Sequence, residues 1–291
     1  MHERVVEDRV FGLERGIPPR PLLSRASTSF DLLSTRVEGA EVVYAQEGTV
    51  NHPPLVFLHG WGASHKFWKY AFTAFSPRWR CIAPDFAGFG LSEKPERDYS
   101  MEAYATWLAG FLDALGLGRV TLVAHSMGGT VTLLFALARP ERLERLAVSN
   151  PVVEGRTAFT ARTRALMLPG IRGLLFLLSR IRWLRRWVTK DFSHVQNLEE
   201  DLAEDVIRAT YRSSIDSTRD LHRIDLTARL ASLAVPTLAI GTDLDLLVAP
   251  DQVDRVPAGR RVLIRDCGHI PMVERPAEFN QALNDWLAAG I

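Results

Sequence analysis

Only two cysteines occur in the 291 residues, Cys81 and Cys267. Two are too few for a disulfide framework and suit a reducing, cytoplasmic setting, with both read as packing residues near strand ends. An excess of either charge is also missing: 35 Lys and Arg against 34 Asp and Glu leave a net +1. That balance removes the basic face that nucleic-acid binding requires. No apolar run approaches the ~18 residues of a membrane span. The opening M-H-E-R-V-V-E-D-R lacks the basic start and apolar core of a signal peptide. No internal repeat is evident, and no cofactor and no metal is expected.

What is present is more informative. Residues 120–129, V-T-L-V-A-H-S-M-G-G, form a β-type apolar run that ends in a serine flanked two residues either side by Ala124 and Gly128. Small-x-Ser-x-small at a strand-to-helix turn lifts the hydroxyl out of the sheet, which marks Ser126 as a candidate nucleophile. A second run, A-V-P-T-L-A-I at 234–240, leads into G-T-D-L-D-L-L-V-A-P and sets Asp243 and Asp245 at a strand end. A third, R-V-L-I at 261–264, leads into R-D-C-G-H-I-P and puts His269 in a loop just past another strand. Serine, aspartate and histidine thus fall at three strand ends in that chain order.

Two short strands are expected at 30–37 and 41–45, then one at 54–58, after which strands alternate with helices. Such alternation implies an α/β fold with a mostly parallel central sheet flanked by helices. After Ser100 the spacing of Tyr104, Leu108, Phe111, Leu112 and Leu115 predicts a helix closing at Gly116, and 128–138 predicts another behind Ser126. Residues 1–27, with the proline cluster I-P-P-R-P-L-L, read as an N-terminal extension. About 85 residues separate the strand ending near Ser149 from that starting near Val235, more than a crossover needs. This excess predicts a helical cap at 151–219 inserted into a core of 28–150 and 220–291.

The segments resemble those of an α/β-hydrolase of the single-domain esterase type, over roughly residues 40 to 289. Besides the Ser, Asp and His segments, L-V-F-L-H-G-W-G-A-S at 55–64 resembles the family's strand and oxyanion loop, and D-F-A-G-F-G-L-S at 85–92 its glycine-rich loop. The resemblance implies a catalytic triad of Ser126, His269 and an aspartate, the chain order distinguishing it from chymotrypsin and subtilisin types. The acid in that pattern stands three residues after the glycine, where this chain has Leu244; aligning on L-V-x-P favours Asp245 over Asp243, which then caps a turn. Oxyanion donors are implied at the amides of Met127 and Trp61, and the Trp61 indole is read either as a wall of the acyl pocket or as simple packing. Haloalkane and epoxide hydrolysis, which in this family use an aspartate where Ser126 stands, are disfavoured.

His269 would act as general base and then general acid, suited by an ordinary histidine pKa near 6.5. His59 and His125 are read as structural, and Asp85 as a brace for its loop. Residues 155–190 carry nine basic side chains and no acidic one, with Leu174, Leu177, Ile181, Leu184 and Val188 at helical spacing and Arg182, Arg185 and Arg186 beside them. These arginines are read as a solvated cap face; peripheral contact with anionic lipid is the rival reading. The expected activity is carboxylic-ester hydrolysis of a small apolar or aromatic substrate through an acyl-enzyme. Carbon–carbon bond hydrolysis and a low-turnover ligand sensor are the alternatives.

Overall fold

The computed structural model describes residues 20–21, 30–159, 164, 174, 204–205 and 208–289. Apolar runs give the strands β1 (Arg20–Pro21), β2 (Asp31–Val37), β3 (Ala40–Glu47), β4 (Pro54–Leu58), β5 (Arg80–Pro84), β6 (Val120–His125), β7 (Leu143–Ser149), β8 (Thr237–Thr242) and β9 (Arg260–Ile264). They form one sheet in the order β1-β2-β3-β5-β4-β6-β7-β8-β9. Pairing is antiparallel from β1 through β2 and β3 to β5, and parallel from β5 onward. This is the mostly parallel, helix-flanked sheet that the alternation of runs implies.

Between the strands lie helices α1 (Lys69–Phe75), α2 (Met101–Ala114), α3 (Met127–Ala138), α4 (Gly155–Ala158), α5 (Tyr211–Leu221), α6 (Pro271–Glu274) and α7 (Pro276–Ala288). Because successive strand side chains point to opposite faces, the core divides into two layers. Val56, Leu58, Leu122 and Ala124 pack with residues of α2 and α3, whereas Leu55, Phe57 and Val123 pack with residues of α1 and α7. β6 lies at the centre with all six residues buried, as expected of a parallel strand covered on both faces.

Local signals fix the ends. The Ser100 hydroxyl accepts the Ala103 N–H at 3.2 Å and caps α2, an interaction worth about 1 kcal/mol. Along α2 the Trp107 and Phe111 rings stack at 5.7 Å inside the core. β3 runs two residues past its expected end because Gln46 and Glu47 pair with Ile82 and Cys81 of β5. β8 begins after Pro236, whose ring removes a ladder donor.

Arg20 and Pro21 pair with Ser34 and Leu33, so this piece of the extension is a sheet-edge strand. The rest of residues 1–29 lies outside the described residues, as does most of the segment at 151–219, including Leu177 to Val188 and Arg182, Arg185 and Arg186. Leu174 is helical and exposed. Cys81 and Cys267 are buried and unpaired. No helix among the described residues is long and apolar enough to cross a membrane.

Candidate active site

β6 runs straight into α3, and Ser126 is the single residue between them, with φ 52° and ψ −119°. A side chain held at positive φ costs on the order of 1–3 kcal/mol and persists only where its surroundings over-determine it. Here the Ser126 N–H still donates to Ser149 O of β7 at 2.9 Å, while its carbonyl accepts the first α3 bond, from Thr130 N–H at 3.1 Å. Helix geometry leaves the amides of 127, 128 and 129 without an intrahelical acceptor. Gly128 is required by space: a Cβ there would fall 2.6 Å from His59 O and 2.7 Å from Leu58 O. Ala124, where the pattern prefers glycine, is buried in register with Leu58 and Val148.

His269 lies against this turn. Its Nε2 is 3.0 Å from Ser126 Oγ, and its Nδ1 is 2.7 Å from Asp245 Oδ2. A carboxylate only accepts, so Nδ1 carries the ring proton and Nε2 is left to accept from the serine hydroxyl. The other Asp245 oxygen accepts the amides of Leu247 and Val248 at 2.8 and 2.9 Å, which fixes the carboxylate's direction. Asp243 is aimed elsewhere: it accepts the Cys267 N–H at 3.3 Å, while Leu244 N–H donates to Cys267 O at 3.0 Å. Those two bonds tie the loop after β8 to the loop after β9. Ser126, Asp245 and His269 are each less than a tenth exposed.

The sequence reading missed how firmly the His269 backbone is held. Glu274 accepts the N–H of Gly268 at 2.7 Å with one carboxylate oxygen and that of Ile270 at 3.0 Å with the other. The His269 carbonyl accepts from His125 Nε2 at 2.7 Å and from Asn150 Nδ2 at 3.2 Å. Asn150 also donates to Thr242 Oγ1 at 3.0 Å, and sits at φ 44° just past β7. Burial, with the neighbouring His269, drives the pKa of His125 well below 6.5, so its ring is neutral and serves as a donor. The G-H-x4-E spacing of Glu274 and the S-N-P step at Asn150 were visible signals.

The loop after β4 closes the site from the other side. A Cβ on Gly60 would lie 2.8 Å from His125 Nδ1 and 3.1 Å from Ser126 Cβ, so this loop passes in contact with the serine. His59 accepts the Phe86 N–H at 3.0 Å through Nε2 and donates to Gly60 O at 2.7 Å through Nδ1. Burial lowers its pKa in keeping with a neutral ring. The structural reading of both histidines fits these contacts. The Trp61 indole N–H reaches Ser214 O of α5 at 3.4 Å and the ring packs against the core, so the indole joins the loop to α5. The Met127 side chain is fully buried, which leaves only its amide for the site. Asp85 braces two loops by accepting from His65 N at 2.7 Å, His65 Nδ1 at 2.9 Å and Leu91 N at 2.7 Å. Burial pushes its carboxyl up, but the imidazoles of His65 and His59 and the Leu91 amide outweigh this and hold it at about 2.

The alpha/beta hydrolase fold family matches residues 53–276. A putative carbamate hydrolase, RutD, of Pantoea ananatis (strain LMG 20103) is 31% identical over 248 residues, covering 80% of this chain and 87% of that protein. A 2-hydroxy-6-oxo-2,4-heptadienoate hydrolase of Pseudomonas putida is 27% identical over 259 residues, covering 81% and 89%. Among solved structures, a membrane phospholipase A described as a bacterial virulence factor aligns with TM-score 0.77 and 26% identity over 89% of this chain and 86% of that one.

Proposed function

Because the chain belongs to the α/β hydrolase fold family, we propose that it is a serine hydrolase that cleaves small carboxylic esters of apolar acyl or aromatic type through an acyl-enzyme. The observation that carries this reading is the hydrogen-bonded line from Ser126 Oγ through both nitrogens of His269 to Asp245. A serine hydroxyl is a weak nucleophile until an adjacent base accepts its proton. His269 Nε2 is within reach to do so, and Asp245 holds the tautomer that leaves Nε2 free and stabilises the imidazolium.

Attack of Oγ on the ester carbonyl forms the C–O bond of a tetrahedral intermediate and moves negative charge onto the carbonyl oxygen. The amide of Met127, at the N-terminus of α3, and that of Trp61, in the loop touching Ser126, are the donors assigned to that oxygen. Each is worth roughly 3 kcal/mol by analogy with a measured deletion in another enzyme. Collapse expels the alcohol, protonated by His269, and leaves Ser126 acylated. Water then attacks with His269 again as base, releasing the acid and regenerating the hydroxyl.

The core is assigned to 28–150 and 220–291, and a cap to 151–219. Two buried, unpaired cysteines fit a reducing cytoplasmic setting. The likeness to a heptadienoate hydrolase supports carbon–carbon bond cleavage of a dienoic ketone as the second reading.

A chain-length series of 4-nitrophenyl esters, with a dienoic ketone in parallel, tests the proposal. Ester turnover by the wild type and a kcat loss of at least about 10⁴-fold in Ser126→Ala are expected. Turnover of the ketone alone would favour the second reading. Ester turnover that survives in Ser126→Ala would refute the first.

A further inference from the structure

Asp205 has no part in the chemistry above, yet its carboxylate is almost completely buried at 1% exposure. Its Oδ2 accepts the hydroxyl of Ser64, and Lys66 Nζ and Arg208 Nε lie 3.6 and 3.5 Å from its Oδ1. A carboxylate is taken out of water only where such partners compensate it, so this is no solvated surface charge. Ser64 ends the loop that begins at His59, and its oxygen also accepts the Lys66 N–H at 3.2 Å, capping the 3-10 turn His65–Trp68. The next residue, His65, is held by Asp85. The far end of the loop is therefore anchored twice, by Asp85 from the residue just past β5 and by Asp205 from the segment between β7 and β8. Its near end lies against Ser126 through Gly60.

We propose that Asp205 is a positioning residue, which through Ser64 holds the His59–Ser64 loop and sets the Trp61 amide where the oxyanion develops. This rests on the serine-hydrolase reading. Burial lifts the Asp205 carboxyl to about 6 against the pull of Lys66 and the Ser64 hydroxyl, with Asp85 raising it and His65 lowering it further, and Arg208 Nε also facing it at 3.5 Å. The hydroxyl can bond either protonation form, so the contact survives on both sides of that value.

The test is kcat, KM and inhibition by an aryl trifluoromethyl ketone, whose tetrahedral adduct places an oxyanion in the same position, for the wild type, Asp205→Ala, Asp205→Asn, Ser64→Ala and the double alanine variant. Misplacing one donor rather than deleting it should lower kcat about tenfold in each single alanine variant. KM should change less than about twofold, and ketone affinity should fall by the same factor as kcat. The double variant should be no worse than the worse single, since both break one contact. Asp205→Asn, whose amide oxygen still accepts from Ser64, should recover most of the loss. Thermal unfolding checks that each variant folds; should Asp205→Ala fail, Ser64→Ala and Asp205→Asn carry the comparison. Single-variant kcat within twofold of wild type, or losses that multiply in the double variant, would overturn the positioning role. Turnover retained in a parallel Ser126→Ala would instead overturn the serine reading itself.

Discussion

Ser126 sits at φ 52° on a turn that only close neighbours can hold, and those neighbours are small residues. Gly128→Ala would drive a methyl onto two backbone carbonyls, His59 O and Leu58 O. Overpacking of this kind costs about 1–3 kcal/mol, and here the strain falls on the loop bearing Trp61. The variant should unfold at lower urea and lose at least about tenfold in kcat; wild-type values for both would show the loop to be looser than described. Asp245→Asn tests the ring tautomer. An amide at that position can donate to Nδ1 and leave the proton on Nε2, so kcat should fall about 10⁴-fold by analogy with the corresponding change in another triad. Asp243→Asn should change kcat less than twofold, because that side chain bonds Cys267 N–H rather than the imidazole.

At the scale of elements, three loops at the carboxyl ends of β6, β8 and β9 converge, as ligand sites do in open parallel sheets. These ends were legible because each follows an apolar run with its own stop signal, glycine or proline. Between Asp243 and Asp245, which both flank Leu244, the sequence offers only the L-V-x-P alignment, and tertiary packing puts Asp245 on His269. Glu274, Asn150 and His125 were not read as partners of His269. The G-H-x4-E spacing and the S-N-P step were visible, but neither shows which backbone groups are met, and Asn150 and His125 reach across more than a hundred residues of chain. Glu274→Ala unmakes two bonds to the amides on either side of His269. It should cost about 2 kcal/mol of stability and lower kcat at least about fivefold, with Glu274→Gln recovering part of both. Equal activity in Glu274→Ala and wild type would mean that packing alone sets the imidazole.

The described residues form one mostly parallel sheet between two hydrophobic layers, and two of its buried carboxylates, Asp85 and Asp205, oppose each other in pH dependence. Asp85, held at about 2 against an ordinary 3.8, contributes stability that is present above the ordinary value and lost as pH falls toward 2. Asp205, raised to about 6, contributes stability that is present below 3.8 and lost as pH rises through about 6. Asp205→Asn removes only the second contribution. Its melting temperature minus that of wild type should therefore increase as pH is raised from 4 to 7, and a difference that stays flat across that range would remove the burial argument. The core layers followed from strand and helix periodicity, whereas the placement of Asp205 did not, because nothing local distinguishes it within the acidic run E-E-D-L-A-E-D.

The most direct measurement of the central claim is mass mapping of the protein after treatment with a fluorophosphonate. A single adduct on the tryptic peptide spanning residues 120–142, at Ser126 and absent after His269→Ala, is the predicted result. Labelling at another residue, or labelling that persists without the imidazole, would contradict the proton path from hydroxyl to ring to carboxylate.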